Sequence, residues 1–155
     1  MTNERERFAM FTWLKLFWAA CRPGGSGARG ELLTRRHLES NAGMRIVAAN
    51  WRNPQDRREE LDLVAMDGEV LVFVEVKTRV ADALVSGYHA VNARKKRVVQ
   101  RAARAYLRGL HPAPRTLRFD IVEVAWPRRG GQRAPEVRHF ANVPLFPKHF
   151  RPGRD

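Results

Sequence analysis

Cysteine is nearly absent from this chain. Cys21 is the only one in 155 residues, so no internal disulfide can form and a reducing, cytoplasmic compartment fits. The five histidines, His37, His89, His111, His139 and His149, show no paired metal-ligand spacing, which argues against a zinc site. No apolar run is long enough to cross a bilayer, which takes about 20 residues. Residues 8–20 come nearest, and Lys15 interrupts them. As a signal peptide this segment is poor, because Glu4 and Glu6 offset Arg5 and Arg7 ahead of it. Trp18-Ala19-Ala20-Cys21 has only a faint look of a lipoprotein cleavage site, spoiled by the bulky tryptophan. The segment reads instead as an amphipathic helix that packs on the domain or rests on a membrane surface, with the former preferred. No internal repeat is present.

Acids are also scarce. Asp and Glu total 16 against 29 Lys and Arg, giving a net charge of +13 and a pI near 11.3. Such an excess calls for a polyanionic partner, nucleic acid or an anionic membrane surface. Lysine is rare among the basic residues: Lys15, Lys77, Lys95, Lys96 and Lys148 are the full set, and the rest are arginine. Such a bias can arise from genome base composition alone, so charge placement counts for more than the total.

The length suits one domain with a real core. Residues 1–26 form an apolar and basic extension with a glycine-rich linker, 27–143 the compact domain, and 144–155 an irregular tail containing three prolines. Gly24-Gly25-Ser26-Gly27 superficially resembles a nucleophile elbow, but it lacks the strand-to-helix setting and reads as linker. A helix is expected over 31–42, closed by Gly43, with Glu31 in its first turn. A strand follows over 44–52, broken by Asn53-Pro54. Gly87 falls in a loop before a helix at 92–107, and strands are expected over 117–126 and 137–140 around a loop at 127–131.

The most informative stretch is 57–79, which reads as two strands joined at Asp67-Gly68, a strong hairpin signal between alternating apolar runs. A two-residue loop there sets Met66 against Glu69, Val64 against Leu71, Asp62 against Phe73 and Glu60 against Glu75. Strand periodicity then gathers Glu60, Asp62, Glu75 and Lys77 on one face, with Leu71 and Phe73. Leu61, Leu63, Val72, Val74 and Val76 take the other. A lone Glu-x-Lys in a strand is usually a surface ion pair. Here a second acidic strand in register favours a site, because clustered carboxylates on a covered face need a lysine, metal or ligand to balance them.

Over 92–107, Arg94, Arg97, Arg101, Arg104 and Arg108 recur at intervals of three and four as one stripe. Val98, Val99, Ala102, Ala105 and Tyr106 lie roughly opposite. With no acid among residues 91–109, the stripe favours phosphate binding over a merely solvated face. Lys95 projects toward the apolar side.

This order of elements resembles the restriction-endonuclease-like fold, an α/β class with a mixed central sheet flanked by helices. The chain more closely resembles the bacterial YraN-like family of uncharacterised proteins, similar in fold to archaeal Holliday-junction resolvases. Gly30-Glu31, the run 45–52, Glu60-Leu61-Asp62-Leu63-Val64-Ala65 and Leu71-Val72-Phe73-Val74-Glu75-Val76-Lys77-Thr78-Arg79 carry the match. Ala90-Val91, Arg94-Lys95, Ala102-Ala103, Tyr106-Leu107 and Arg118-Phe119-Asp120-Ile121-Val122 extend it. Glu59 departs from it, standing where the family usually has glycine, and Arg57 and Arg58 crowd the same loop. His37 replaces a more usual tyrosine.

The resemblance implies that Asp62 and Glu75, with the Val76 carbonyl, bind Mg²⁺ or Mn²⁺. It implies that Lys77 orients water or stabilises charge on phosphorus, and that Glu31 is a further ligand or water-positioning acid. Glu60 and Lys95 are accessory candidates. The leading expectation is a metal-dependent endonuclease acting on DNA, branched DNA included, with no small-molecule cofactor. The alternatives are a noncatalytic nucleic-acid-binding module and an RNA- or ribosome-associated accessory protein. Junction cutting would favour a homodimer, since two strands must be cut symmetrically.

Overall fold

The computed structural model of the chain describes residues 26–80, 93–127 and 133–152. The expected N-terminal helix, Cys21, Gly87 and most of the loop after Pro127 lie outside them. In chain order the elements are α1 (Ser26–Ser40), β1 (Arg45–Arg52), β2 (Glu60–Asp67), β3 (Val70–Val80), α2 (Ala93–Arg108), β4 (Thr116–Trp126) and β5 (Glu136–Phe140). The five strands form one sheet in the order β1-β2-β3-β4-β5. Only β3 and β4 are parallel, joined through α2; the other pairs are antiparallel. This mixed sheet between two helices is the α/β, restriction-endonuclease-like architecture. Among the described residues no helix is long and apolar enough to cross a membrane.

Alternation along the strands separates two apolar layers. Leu71, Phe73, Phe119 and Ile121 pack with Val99, Ala102, Ala103 and Leu107 of α2. Leu63, Ala65, Val72, Val74 and Val122 pack with Leu38 of α1 and with Met44. One expected assignment fails: Leu61 joins the α2 layer. It stays paired to Trp51, which packs in the same layer, and Asn50 between the Leu63 and Leu61 partners takes a positive φ of 51°, so alternation is broken at this point of the β1–β2 ladder.

The hairpin is shifted by two residues from the expected register. Asp67 pairs Val70, Met66 pairs Leu71 and Val64 pairs Phe73, so the turn is Gly68-Glu69. Gly68 alone takes a positive φ, 56°, which suits a turn with glycine at its first central position and spares Asp67 a strained backbone. A two-residue shift preserves parity. The shared face of Asp62, Glu75 and Lys77 and the opposite face of Leu63, Val72, Val74 and Val76 therefore survive, and continuing the register brings Asp62 opposite Glu75. Glu60, beside Leu61 and beyond the β2–β3 ladder, turns instead to Arg52.

The first helix starts earlier than expected. Ser26 and Gly27 belong to α1 rather than to a linker, and no acid lies in its first turn, so Glu31 falls one turn later. Glycine is a poor helix former, but Gly30 has a packing reason: a Cβ there would collide with the Thr78 methyl of β3. Gly30→Ala should therefore destabilise the fold by about 1–3 kcal/mol in urea denaturation. Adding Thr78→Ser, which removes that methyl, should recover most of the loss. At the far end Gly43 has φ 65°, and the Met44 N–H donates back to the Leu38 carbonyl at 2.9 Å.

Candidate metal and phosphodiester site

Glu75 is the centre of the site. It sits mid-sheet on the α2 side with 2% of its surface exposed, where an unpaired carboxylate would be costly. Two ammonium groups compensate it. Lys77 Nζ lies 2.8 Å and Lys95 Nζ 3.1 Å from the same oxygen, Oε1. Lys77 comes from the same face of β3 two residues on, and Lys95 descends from the first turn of α2. Burial opposes charge on Lys95, but Glu75 and then Asp62 overcome it and raise its pKa. Lys95 accordingly stays cationic across the physiological range.

Asp62 completes the acidic pair. Its Oδ2 accepts the Val76 N–H at 2.8 Å, so the side chain takes a backbone donor just where the β2–β3 ladder ends. Burial, and next the negative charge of Glu75, push its pKa up from 3.8 to about 7; the Val76 hydrogen bond and Lys95 only partly offset them. Glu31 is near enough to add to the repulsion. Its own Oε2 accepts from Asn50 Nδ2 at 2.9 Å. Asn50, in β1 with φ 51°, lies between residues paired to Leu63 and Leu61, which sets it across from Asp62.

The raised pKa has a sign that stability can report. An acid with a folded pKa above its unfolded value keeps its proton longer when folded, so stability falls as pH rises from about 4 to about 7. Asp62→Asn removes this penalty while keeping an acceptor for Val76. In metal-free buffer near pH 8 it should stabilise the protein by about 1–3 kcal/mol, with the gain vanishing toward pH 4. Urea denaturation at both ends of that range checks it, and an equal effect at both would contradict the assignment.

The remaining expected residues are placed less centrally. Glu60 pairs with Arg52 at 2.7 Å on a half-exposed surface, a contact of small energetic value. In the arginine stripe, Arg94, Arg97 and Arg108 are exposed. Arg101 is exposed too, but its Nε lies 2.6 Å from Glu59 Oε1. Arg104 is drawn aside, its guanidinium 4.9 Å over the Phe150 ring. Glu59 is buried and also accepts from Asn53 Nδ2 at 2.8 Å, so it ties the loop before β2 to α2.

Two buried networks escaped the sequence reading. Glu123 faces Lys77 across the β3–β4 register, is fully buried and pairs with Arg79 at 2.7 Å. On the α1 side, Asp120 is fully buried and binds Arg118 at 2.9 Å and His139 at 2.8 Å. Burial alone would raise the Asp120 pKa, but hydrogen bonds from His139 and Arg118 hold it below the ordinary value. Arg118 also reaches Asp67 at 2.8 Å, binding β4 to the hairpin. The alternation Arg118-Phe119-Asp120 was the available signal, since it puts both charges on one face.

The residues fit a hard divalent cation in a particular way. Among the described residues no three His, Cys, Asp or Glu side chains form a ready metal cage, so Glu31, Asp62 and Glu75 are not a closed ligand set. Asp62 and Glu75 are instead two mutually repelling carboxylates, which a cation would relieve, and Asp62 Oδ1 and Glu75 Oε2 take no part in the contacts above. Mg²⁺ suits such a site, because it commonly binds through one or two carboxylates and completes its shell with water and substrate phosphate.

Comparison with known proteins places the same region of the chain in one family. A family model described as "Uncharacterised protein family UPF0102" matches residues 30–124, from the α1 glycine to the end of the β4 core. A UPF0102 protein of Chlorobaculum tepidum is 41% identical over 102 residues, covering 66% of this chain and 76% of its own. One from Mycolicibacterium vanbaalenii is 39% identical over 117 residues, covering 76% and 91%. One from Porphyromonas gingivalis is 38% identical over 122 residues, covering 79% and 86%.

Proposed function

The chain belongs to the UPF0102 family of uncharacterised proteins, and from that premise we propose that it is a metal-dependent endonuclease acting on DNA. The observation that carries this reading is the buried Glu75 carboxylate, held between two lysines and beside a second carboxylate of raised pKa. Structural ion pairs neutralise one another, and Asp62 beside Glu75 does the reverse. Perturbed carboxylates of this kind are a common mark of a working site.

Asp62 and Glu75 would hold the cation, with Glu31 and Asn50 on the approach to it. When bound, Mg²⁺ or Mn²⁺ would polarise a phosphodiester oxygen and lower the pKa of a water. Lys77 and Lys95 would bring positive charge to the phosphoryl oxygens as water adds to phosphorus and a deoxyribose oxygen leaves. Lys77 also suits the orientation of the attacking water. The exposed arginines of α2 supply phosphate contacts outside the reacting centre.

The test is a cleavage panel of duplex, nicked, single-stranded and four-way DNA, with matched RNA, in Mg²⁺ and in Mn²⁺. Metal-dependent cleavage of at least one DNA, lost on chelation, is the expected result. Binding without cleavage of any substrate would instead identify a noncatalytic module on this scaffold. A preference for RNA in competition would identify an RNA-associated protein.

A further inference from the structure

We infer that a groove between the start of β4 and the carboxy-terminal tail is a second phosphate-backbone contact, continuing the α2 face away from the carboxylates. This rests on the nucleic-acid reading above. The groove has a volume of about 550 Å³, and Arg115, Lys148, His149 and Arg151 line it around Phe150. All four of those side chains belong to exposed residues. Neither residues 108–119 nor residues 141–152 contain an acid, so both walls carry a single sign of charge.

The tail is fastened where it lies. Phe146 and Phe150 stack with centroids 4.4 Å apart, Arg104 of α2 covers Phe150, and Gln100 donates to the Leu145 carbonyl at 3.4 Å. The displacement of Arg104 from the stripe thereby helps to fix two further cations of the tail, Lys148 and Arg151, opposite Arg115. From Arg94 to Arg108 the helix runs about 21 Å, comparable to roughly six phosphates along one strand of a duplex. Lys95, at its first turn, touches Glu75, whereas Thr116, the residue after the groove's Arg115, lies five β4 residues before Ile121, the partner of Glu75. That separation is about 16 Å along the strand.

An extended polyanion fits this line of cations better than one small anion, which would call for converging, desolvated donors. A lipid surface fits less well. Among the described residues the exposed large apolar side chains are Leu32 and Val80, and neither lines the groove.

The test measures the salt dependence of binding for Arg115→Gln/Lys148→Gln/Arg151→Gln on a duplex of about 30 base pairs and on one of about eight. On the longer duplex the log–log slope should shrink by up to ~2.7, and on the shorter it should stay unchanged. A charge-keeping Arg115→Lys/Arg151→Lys variant should retain the wild-type slope on both. A wild-type slope for the glutamine variant on the longer duplex overturns the groove contact. If Arg94→Gln/Arg97→Gln/Arg108→Gln still lowers the slope in that case, the α2 reading stands alone. If wild-type protein binds no DNA, both readings fall together. Loss of binding to phosphatidylserine vesicles with DNA binding intact overturns the inference in favour of lipid.

Discussion

Glu75→Gln is expected to lower metal-dependent DNA cleavage by at least ~10², about 2.7 kcal/mol of barrier. The substitution keeps shape but removes the one charge that Lys77 and Lys95 both contact. Lys77→Met should lose a similar factor for a different reason, because it deletes a cation from the reacting centre. The two variants separate in metal dependence. Raising Mn²⁺ should partly rescue Glu75→Gln, whose defect is cation affinity, and should leave Lys77→Met unimproved. DNA binding without metal should persist in both or improve in Glu75→Gln, since a carboxylate repels phosphate and the exposed arginines are untouched. Activity unaffected by either substitution would assign the cleavage to a contaminating nuclease.

The next largest effect concerns binding. Simultaneous Arg94→Gln, Arg97→Gln and Arg108→Gln should cut the log–log salt slope on duplex DNA by about 0.9 per lost phosphate contact, up to ~2.7 in all. Loss of three such contacts corresponds to a fall in affinity of one or more orders of magnitude at moderate salt, across all sequences. Replacing Arg97, Arg101 and Arg104 instead should do less. Arg101 is already neutralised by Glu59 at 2.6 Å, and Arg104 lies on Phe150. Glu59→Gly should free Arg101 and steepen the slope by up to ~0.9. An unchanged slope for the triple variant would return this face to ordinary solvation.

The acidic face was legible because strand periodicity is local and robust to error. The turn was placed one residue too early, which shifts the pairing register by two, yet parity kept Asp62, Glu75 and Lys77 together. Lys95 was legible in direction, since helical spacing turned it toward the apolar side. The departures have a common cause in tertiary contact. Nothing in the helix pattern shows that Glu59, in the loop before β2, reaches Arg101, or that the tail brings Phe150 under Arg104. The early start of α1 was hidden because Gly27 and Gly30 have poor helix propensity, and only the approach of Thr78 explains the second of them. The part played by Asn50 depends on its place across from Asp62 and its bond to Glu31, both long-range facts.

That Asp62 and Glu75 form a cation site is tested most directly by titrating the chain with Mn²⁺ and following free metal by electron paramagnetic resonance. The expected result is saturable binding that strengthens about tenfold per pH unit below pH ~7 and levels off above it, as Asp62 loses its proton. Asp62→Asn and Glu75→Gln should each weaken that binding by about tenfold or more. No saturable binding, or binding equal in wild type and both variants, would contradict the assignment of this site.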